Sequence, residues 1–495
     1  MTSPRYRTGE VIPVTVGVSR ADGLCEGTHR ESEDLEAGDP SRRLPLWIEG
    51  GLQNEFGIAR VLHVGQNQAI ARMIEVEETS PQRRDTMPCA RWTPDSPCRL
   101  MHLNESAQRD LKSSAVRVAL DERGFEGSLV TDCVPAPSAL GWRSKVSFII
   151  ARDGSGAIRL GAFRRGTHYV QPMVDCPLPE PALQGAAQAL EQALGLAAIS
   201  LANPKLRVAG DTSCGRPADD WSGRPGPRSE RWLVEDGLRY VMMRSNAAGE
   251  VAVLLLSPSG RLAFAEGLAQ SLIELAPQVV SVSLGASGEG NTIVGEADAT
   301  LLAGTALFQE LIGEASVDIR PPSFFQVHRD AATTLQQRVV SLVLPGPALD
   351  LYSGVGAIAL RIAAKGQVVH GVDSVAASVD RAIAGAEQAG LSDHATFDTA
   401  DCKSAVISLA ENEKTFSTVI LNPPRRGCDP EVLLNVQRLG AQRLLYISCN
   451  PKSLARDAAL LRDQGFMLRE ATPHDLFPHS EHVETIAIFD KEQVS

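Results

Sequence analysis

Residues 348–373 read ALDLYSGVGAIALRIAAKGQVVHGVD, and their order decides the fold. A short apolar run, ALDLY, leads through a turn containing Gly354 and Gly356 into a helical stretch, and a second run, QVVHGVD, ends on Asp373. A strand that turns through glycines into a helix offers backbone N–H groups to a ligand, and an acidic side chain closing the next strand can hold ribose hydroxyls. Gly-Val-Gly is followed here by Ala357-Ile-Ala, so the third glycine of a dinucleotide fingerprint is missing. By itself the turn indicates a nucleotide-like ligand, with a plain strand-to-helix turn as the alternative.

Toward the carboxy terminus the same alternation continues. ATFDTA, STVIL and RLLYIS read as further strands separated by helices, and two closing β segments end in HVETIAIF. Apolar strands alternating with helices make a doubly wound, mostly parallel sheet whose ligands lie at the carboxyl ends of the strands. Two short motifs fall at that edge. Asn422-Pro-Pro-Arg425 follows the fourth strand, where paired prolines stiffen a loop, and Ser448-Cys449-Asn450-Pro451 follows the fifth. A lone cysteine is more often packing than chemistry, but one near a helix start can be ionised and attack.

Toward the amino terminus the pattern changes. A chain of 495 residues exceeds one ordinary core, so two or three domains are expected. Residues 1–78 read as a small β-barrel built on TGEVIPVTVG and GIARVLHVGQNQAIARMIEVE, with residues 19–43 as a mobile polar loop. TSPQRRDTMP, at 79–88, reads as a linker. Residues 86–318 read as a mixed α/β middle domain with hairpins KVSFIIARDGSGAIRLGAF and LRYVMMRSNAAGEVAVLLL, helices around 180–199 and 261–276, and a loop at 216–230. Residues 319–495 form the doubly wound domain.

The net charge of −12 and pI near 5.4 count against broad electrostatic binding of nucleic acid, although Arg425-Arg426 and Arg164-Arg165 can make a local positive cleft. No stretch reaches the roughly 18 uninterrupted apolar residues of a membrane span, so no membrane partner and a cytoplasmic location are expected. Nine scattered cysteines are expected to be reduced thiols or ligands rather than a disulfide framework.

Taken together, Gln326 in SFFQVH, ALDLYSGVGAIAL, VVHGVD, NPPRRG, LLYISCNPKSLARD and DLFPHSEHVET resemble, in order and spacing, the RNA 5-methyluridine methyltransferase family. The resemblance implies a Rossmann-like class I methyltransferase domain using S-adenosyl-L-methionine, acting as a monomer on uridine C5 in ribosomal or transfer RNA. It implies Cys449 as the nucleophile that adds to uracil C6 and Glu484 as the base that removes the C5 proton. It also implies Gln326, Tyr352, Gly354, Gly356, Asp373, Asp401 and Asn422 as cofactor-binding residues. Without it, Glu484 would read as a surface charge and Gln326 as a polar residue before a helix.

Several positions depart from the family pattern. Asn422 stands where most members have Asp, exchanging a negative charge for an amide that donates and accepts. Ala357 stands where some have Asn. Many members hold an iron–sulfur cluster on four cysteines; Cys89, Cys98 and Cys176 resemble three ligands, but Asp95 replaces the fourth, so a [4Fe-4S] cluster is not expected. The amino-terminal segment resembles a degenerate TRAM domain without a basic stripe. Leu140-Gly-Trp-Arg143-Ser-Lys145 matches a family segment before a strand, which is expected to help carry RNA. Two rivals stay open: a non-catalytic RNA-binding protein of the same fold, suggested by the eroded accessory parts, and an amino-nitrogen methyltransferase, suggested by Asn-Pro-Pro.

Overall fold

The computed structural model describes residues 6–492 except 21, 30–43, 95, 165–168, 198, 203–205, 209–233, 289–298 and 324. The loop expected at 216–230, Arg165 and Asp95 therefore lie outside the described residues. The chain divides into two compact units, one of residues 1–136 and 472–483, the other of 137–471 and 484–495.

The first unit contains the expected barrel. Strands β1 (Val11–Ser19), β2 (Leu24–His29), β3 (Leu46–Glu49), β4 (Phe56–Val64) and β5 (Ala69–Glu78) close in the order β1-β2-β3-β5-β4. Alternation sets the inside: Ile12, Val14 and Val16 of β1 meet Ile48, Val61, Ala69 and Ala71 in one core. Residues 19–43 are not wholly a loop, because β2 lies among them and pairs antiparallel with β1, Val16 opposite Gly27. That strand buries only Cys25 and turns the bare Gly27 toward Ile48, whose Cγ1 lies 2.6 Å from where a Cβ would stand. A strand with almost no apolar side chain leaves no periodic signal.

The expected linker at 79–88 is likewise anchored. Arg83 bonds the fully buried Glu55 through Nε at 2.6 Å and Nη2 at 2.7 Å, and Glu55 also accepts the N–H groups of Leu52 and Ser80. A buried carboxylate requires this kind of bidentate, fully bonded partner. Helix α1 (Glu105–Asp121), absent from the sequence reading, is capped by Asn104 and buries Lys112 against Asp475 and the Phe477 carbonyl. Its hidden face interleaves Gln108, Lys112 and Ser113 with Ala107, Val116, Ala119 and Leu120, which breaks up the hydrophobic spacing.

The second unit holds two sheets. β6 (Lys145–Arg152), β7 (Ile158–Phe163), β8 (Tyr169–Pro172), β9 (Arg207–Val208), β10 (Tyr240–Ser245), β11 (Val251–Ser257), β12 (Val279–Ala286) and β13 (Thr300–Gly304) form the first, in the order β13-β12-β11-β10-β6-β7-β8-β9. Helices α2 (Pro181–Leu196) and α3 (Ala265–Leu275) bury their apolar faces on it. A hairpin of β14 (Gln309–Ile312) and β15 (Ala315–Asp318) precedes α4 (Arg329–Leu342).

The alternating segment then runs β16 (Ala348–Leu351), α5 (Ala357–Ala363), β17 (Val369–Asp373), α6 (Ala376–Gln388), β18 (Ala395–Thr399), α7 (Cys402–Glu411), β19 (Thr418–Leu421), α8 (Pro430–Val436), β20 (Arg443–Ser448), α9 (Pro451–Asp463), β21 (Phe466–His474) and β22 (Glu484–Lys491). The strand order is β18-β17-β16-β19-β20-β22-β21, parallel from β18 to β20 with β22 antiparallel to β20. Fully buried strands such as Ala348–Leu351 and Thr418–Leu421 are mostly apolar, Asp350 and Thr418 apart, because helices cover both faces. The order in which strands are added reverses after β18, with β19 and β20 placed on the other side of β16, so the loops after β16 and β19 diverge and open a crevice at their carboxyl ends. Among the described residues no helix is long and apolar enough to cross a membrane.

Candidate active site

The turn after β16 enters the left-handed region three times, at Tyr352 (φ 63°), Gly354 (φ 55°) and Gly356 (φ 78°). Such a backbone is disfavoured for tyrosine and is held by its surroundings. Asp373, ending β17, accepts the Gly354 N–H at 2.9 Å with one carboxylate oxygen and the Val375 N–H at 2.9 Å with the other. Gly356 caps α5, and a Cβ there would stand 2.9 Å from the Phe397 ring, whereas the space above Gly354 is open. The Asp350 carboxyl is buried beneath, and burial, reinforced by the Asp373 charge, pushes it up to about 7. Asp401 caps α7 by accepting from Ser404, and Asn422 follows β19 with its N–H on the Leu351 carbonyl at 3.3 Å. The expected cofactor residues Tyr352, Gly354, Gly356, Asp373, Asp401 and Asn422 thus line the carboxyl ends of four parallel strands.

Cys449 and Glu484 occupy the neighbouring strands. Cys449 follows β20 half-buried, immediately before Asn450, whose side chain caps α9 by accepting from Lys452. Glu484 begins β22, 5 % exposed. Because β20 and β22 are antiparallel neighbours, with Ser448 opposite Thr485, the end of one strand meets the start of the other. Between them stands Arg425, which donates to the Cys449 sulfur and whose charge acts on both groups. Gln326 donates its side-chain amide to Glu484. The sequence placed Arg425 only in a local positive cleft, not beside the thiol, and it linked Gln326 to the cofactor rather than to Glu484.

The electrostatics differ from a ready-made thiolate. Burial first, then the Glu484 charge, raises the Cys449 thiol above its ordinary range, with Arg425 opposing. Burial likewise pushes Glu484 up to about 8, against Arg425 and Gln326. A helix start and one guanidinium do not overcome desolvation here, and a protonated Glu484 removes its share of the penalty on the thiol. Cys402 and Cys428 are buried, and burial pushes Cys402 up to about 12, so neither competes as a nucleophile.

The loop carrying Arg425 is rigidly supported. Pro424 and Gly427 close a β-turn around Arg425-Arg426, with the Gly427 N–H on the Pro424 carbonyl at 2.8 Å. Asp457 of α9, fully buried, accepts from the Tyr446 hydroxyl at 2.6 Å, the Cys428 N–H at 2.8 Å and Arg456, while Arg456 donates to the Arg426 carbonyl. The Tyr352 hydroxyl donates to the Cys428 sulfur, tying this network to the glycine turn. Gly427 has φ 84°, and a Cβ there would fall 2.4 Å from Arg456 Nη2 and 2.5 Å from Asp457 Oδ2. Gly427→Ala is therefore expected to cost about 2 kcal/mol in urea unfolding and to slow turnover disproportionately by displacing Arg425.

The segment bearing Gln326 is pinned from the strand expected to carry RNA. Trp142 stacks on His328 at 5.1 Å and 13°, and Ser144 bonds the Val327 carbonyl through N–H at 2.8 Å and hydroxyl at 3.0 Å. Arg329 bonds Glu180 and Glu310 at 2.6 and 3.0 Å. Cys89 and Cys98 are half-buried in the first unit and Cys176 in the second. Among the described residues no three His, Cys, Asp or Glu side chains form a metal-ligand set.

Residues 402–492 match the family described as tRNA (Uracil-5-)-methyltransferase. The chain is 29 % identical to an uncharacterized RNA methyltransferase of Geobacter sulfurreducens, covering 99 % of this chain and 91 % of the relative. It is 28 % identical to another of Parasynechococcus marenigrum, over 96 % of this chain and 98 % of that one. The solved Pyrococcus abyssi tRNA (uracil-54, C5)-methyltransferase, in complex with S-adenosyl-L-homocysteine, shares the fold with a TM-score of 0.70 at 22 % identity, over 97 % of this chain and all of that one.

Proposed function

We propose that the chain, whose residues 402–492 match the tRNA (Uracil-5-)-methyltransferase family and whose relatives are RNA methyltransferases, methylates C5 of a uridine in RNA through a covalent bond to Cys449, with Glu484 as base. What carries this reading is the placement of Arg425 between a half-buried thiol and a buried carboxyl at the ligand edge of the sheet.

Uracil C5 is a weak nucleophile until C6 is attacked. Cys449 adds to C6 as a thiolate, and the displaced electron pair moves through C5 to O4. Arg425 stabilises the thiolate and is placed to meet the charge on the ring oxygen. S-adenosylmethionine, when bound, supplies the methyl group as an electrophile on a sulfonium. The open turn at Gly354, Asp373 beside it, and Tyr352, Gly356, Asp401 and Asn422 at adjacent strand ends fit such a ligand. Glu484, oriented by Gln326, then takes the C5 proton; its electron pair restores the C5–C6 double bond and the sulfur leaves C6. Burial favours the proton-accepting step, because a carboxyl held up to about 8 is a stronger base than an ordinary glutamate.

Transfer RNA is the substrate class favoured here, since both the matched family description and the solved relative name it. The target uridine would be turned out of its stack to reach Cys449.

The test is release of tritium from C5-labelled transfer RNA and ribosomal RNA fragments across a pH series. Cofactor-dependent release is expected from transfer RNA, with kcat/KM climbing steeply with pH to about 8 and less steeply above it, because Glu484 and the raised Cys449 thiol must each lose a proton. An ordinary glutamate would leave only the slope of the Cys449 thiol, with no break near pH 8. Binding of RNA and cofactor without release would favour the non-catalytic reading, which Asn422 and the raised Cys449 thiol motivate.

A further inference from the structure

Two cations sit side by side in the second unit without a carboxylate to share. In the β6–β10 pair Lys145 lies directly opposite Arg244, an arrangement of like charges that repels. Arg244 is 1 % exposed; its Nη2 donates to the Ser323 carbonyl at 2.7 Å and its Nε has no hydrogen-bond partner. The Lys145 ammonium donates to the Pro322 and Ser323 carbonyls at 3.3 and 3.4 Å. A third cation, Arg381, donates to the Ser323 hydroxyl at 3.0 Å. The Glu310 charge reaches Arg244, but that carboxylate is bound to Arg329, which also holds Glu180. Among the described residues neither Lys145 nor Arg244 forms an ion pair.

Desolvated cations held by neutral acceptors alone are costly, and the cost is recovered when an anion arrives. Burial, with Arg244 beside it, holds Lys145 down to about 7, the response expected of an ammonium lacking a counter-charge. Lys145 is only half-buried and can be reached, whereas Arg244 supplies charge from behind. We propose that Lys145, backed by Arg244, binds one phosphate of the RNA strand beside the segment that carries Gln326. This rests on the RNA reading above. It also explains how a chain of net charge −12 holds a polyanion: through a few concentrated cationic points rather than a broad basic face.

The experiment measures affinity by fluorescence anisotropy for an unmodified transfer RNA transcript and an oligouridylate of about 12 nucleotides, over a KCl series, for the wild type, Lys145→Gln and Lys145→Arg. Affinity for S-adenosylhomocysteine is measured in parallel. Lys145→Gln is expected to weaken RNA binding about tenfold at low salt and to flatten the slope of log affinity against log salt by about 0.7 to 0.9, the loss of one phosphate contact. Lys145→Arg is expected to restore the slope, and cofactor-product affinity to stay unchanged in both. Weaker binding with an unchanged slope would overturn the proposal and make Lys145 a strut for the 322–323 turn. A selective loss of S-adenosylhomocysteine affinity would overturn it in favour of the cofactor's carboxylate. A wild type that binds neither RNA would remove the RNA reading itself, and this proposal with it.

Discussion

Cys449→Ala is expected to abolish tritium release, a loss of at least about 10⁴-fold, while S-adenosylhomocysteine affinity changes by less than about twofold. The side chain is half-buried just after β20, and its neighbours are the Arg425 guanidinium and the Glu484 carboxyl rather than the glycine turn after β16. Removing the thiol takes away the bond that activates C5 and leaves the ligand-binding loops intact. It also removes a sulfur that accepts from Arg425, so that side chain turns wholly to Glu484 and lowers the carboxyl's affinity for protons. Isothermal titration with the cofactor product and the tritium assay separate the two effects. Equal loss of both would make Cys449 a structural residue and leave the reaction to an amino-nitrogen chemistry that needs no thiol.

Glu484→Gln has the second large expected effect, a fall in turnover of about 10² to 10⁴ together with accumulation of a covalent protein–RNA adduct. Addition at C6 and methylation at C5 precede proton removal, so an enzyme without its base stops with the ring still bonded to sulfur. Glutamine is a close mimic of the substrate-free state, because a carboxyl pushed up to about 8 by burial carries a proton at neutral pH. Folding should therefore change by less than about 1 kcal/mol. Denaturing gel electrophoresis of the variant with labelled RNA reads the adduct directly. A folded variant that is inactive and forms no adduct would remove Glu484 from the role of base and place it in the addition step.

These effects depend on neighbours far apart along the chain. Gln326, before α4, reaches Glu484 at the start of β22; Arg425, after β19, reaches Cys449 after β20. Asp457 holds the loop of Arg425 from inside α9, a position that reads in sequence as one more charge among the helix's polar residues. In the first unit, α1 and the anchored segment at 79–88 escaped pattern reading for a related reason: Lys112 paired with Asp475 interrupts the apolar face of α1, and Arg83 paired with Glu55 anchors the segment.

The sequence by itself determined the alternating strands and helices of residues 348–491, the glycine turn at Gly354 and Gly356, and the presence of Asp373, Asn422 and Cys449 at strand ends. Those features are local: periodicity, glycine at positive φ and proline stiffness act within a few residues. Only folding brought the charged and polar groups together, so that Arg425 stands between thiol and carboxyl, that burial raises the Cys449 thiol rather than lowering it, and that Lys145 faces Arg244 with no carboxylate to share. Burial and Coulomb energy depend on distance through space and on exclusion of water, and neither quantity exists until the sheet has closed and its loops have met.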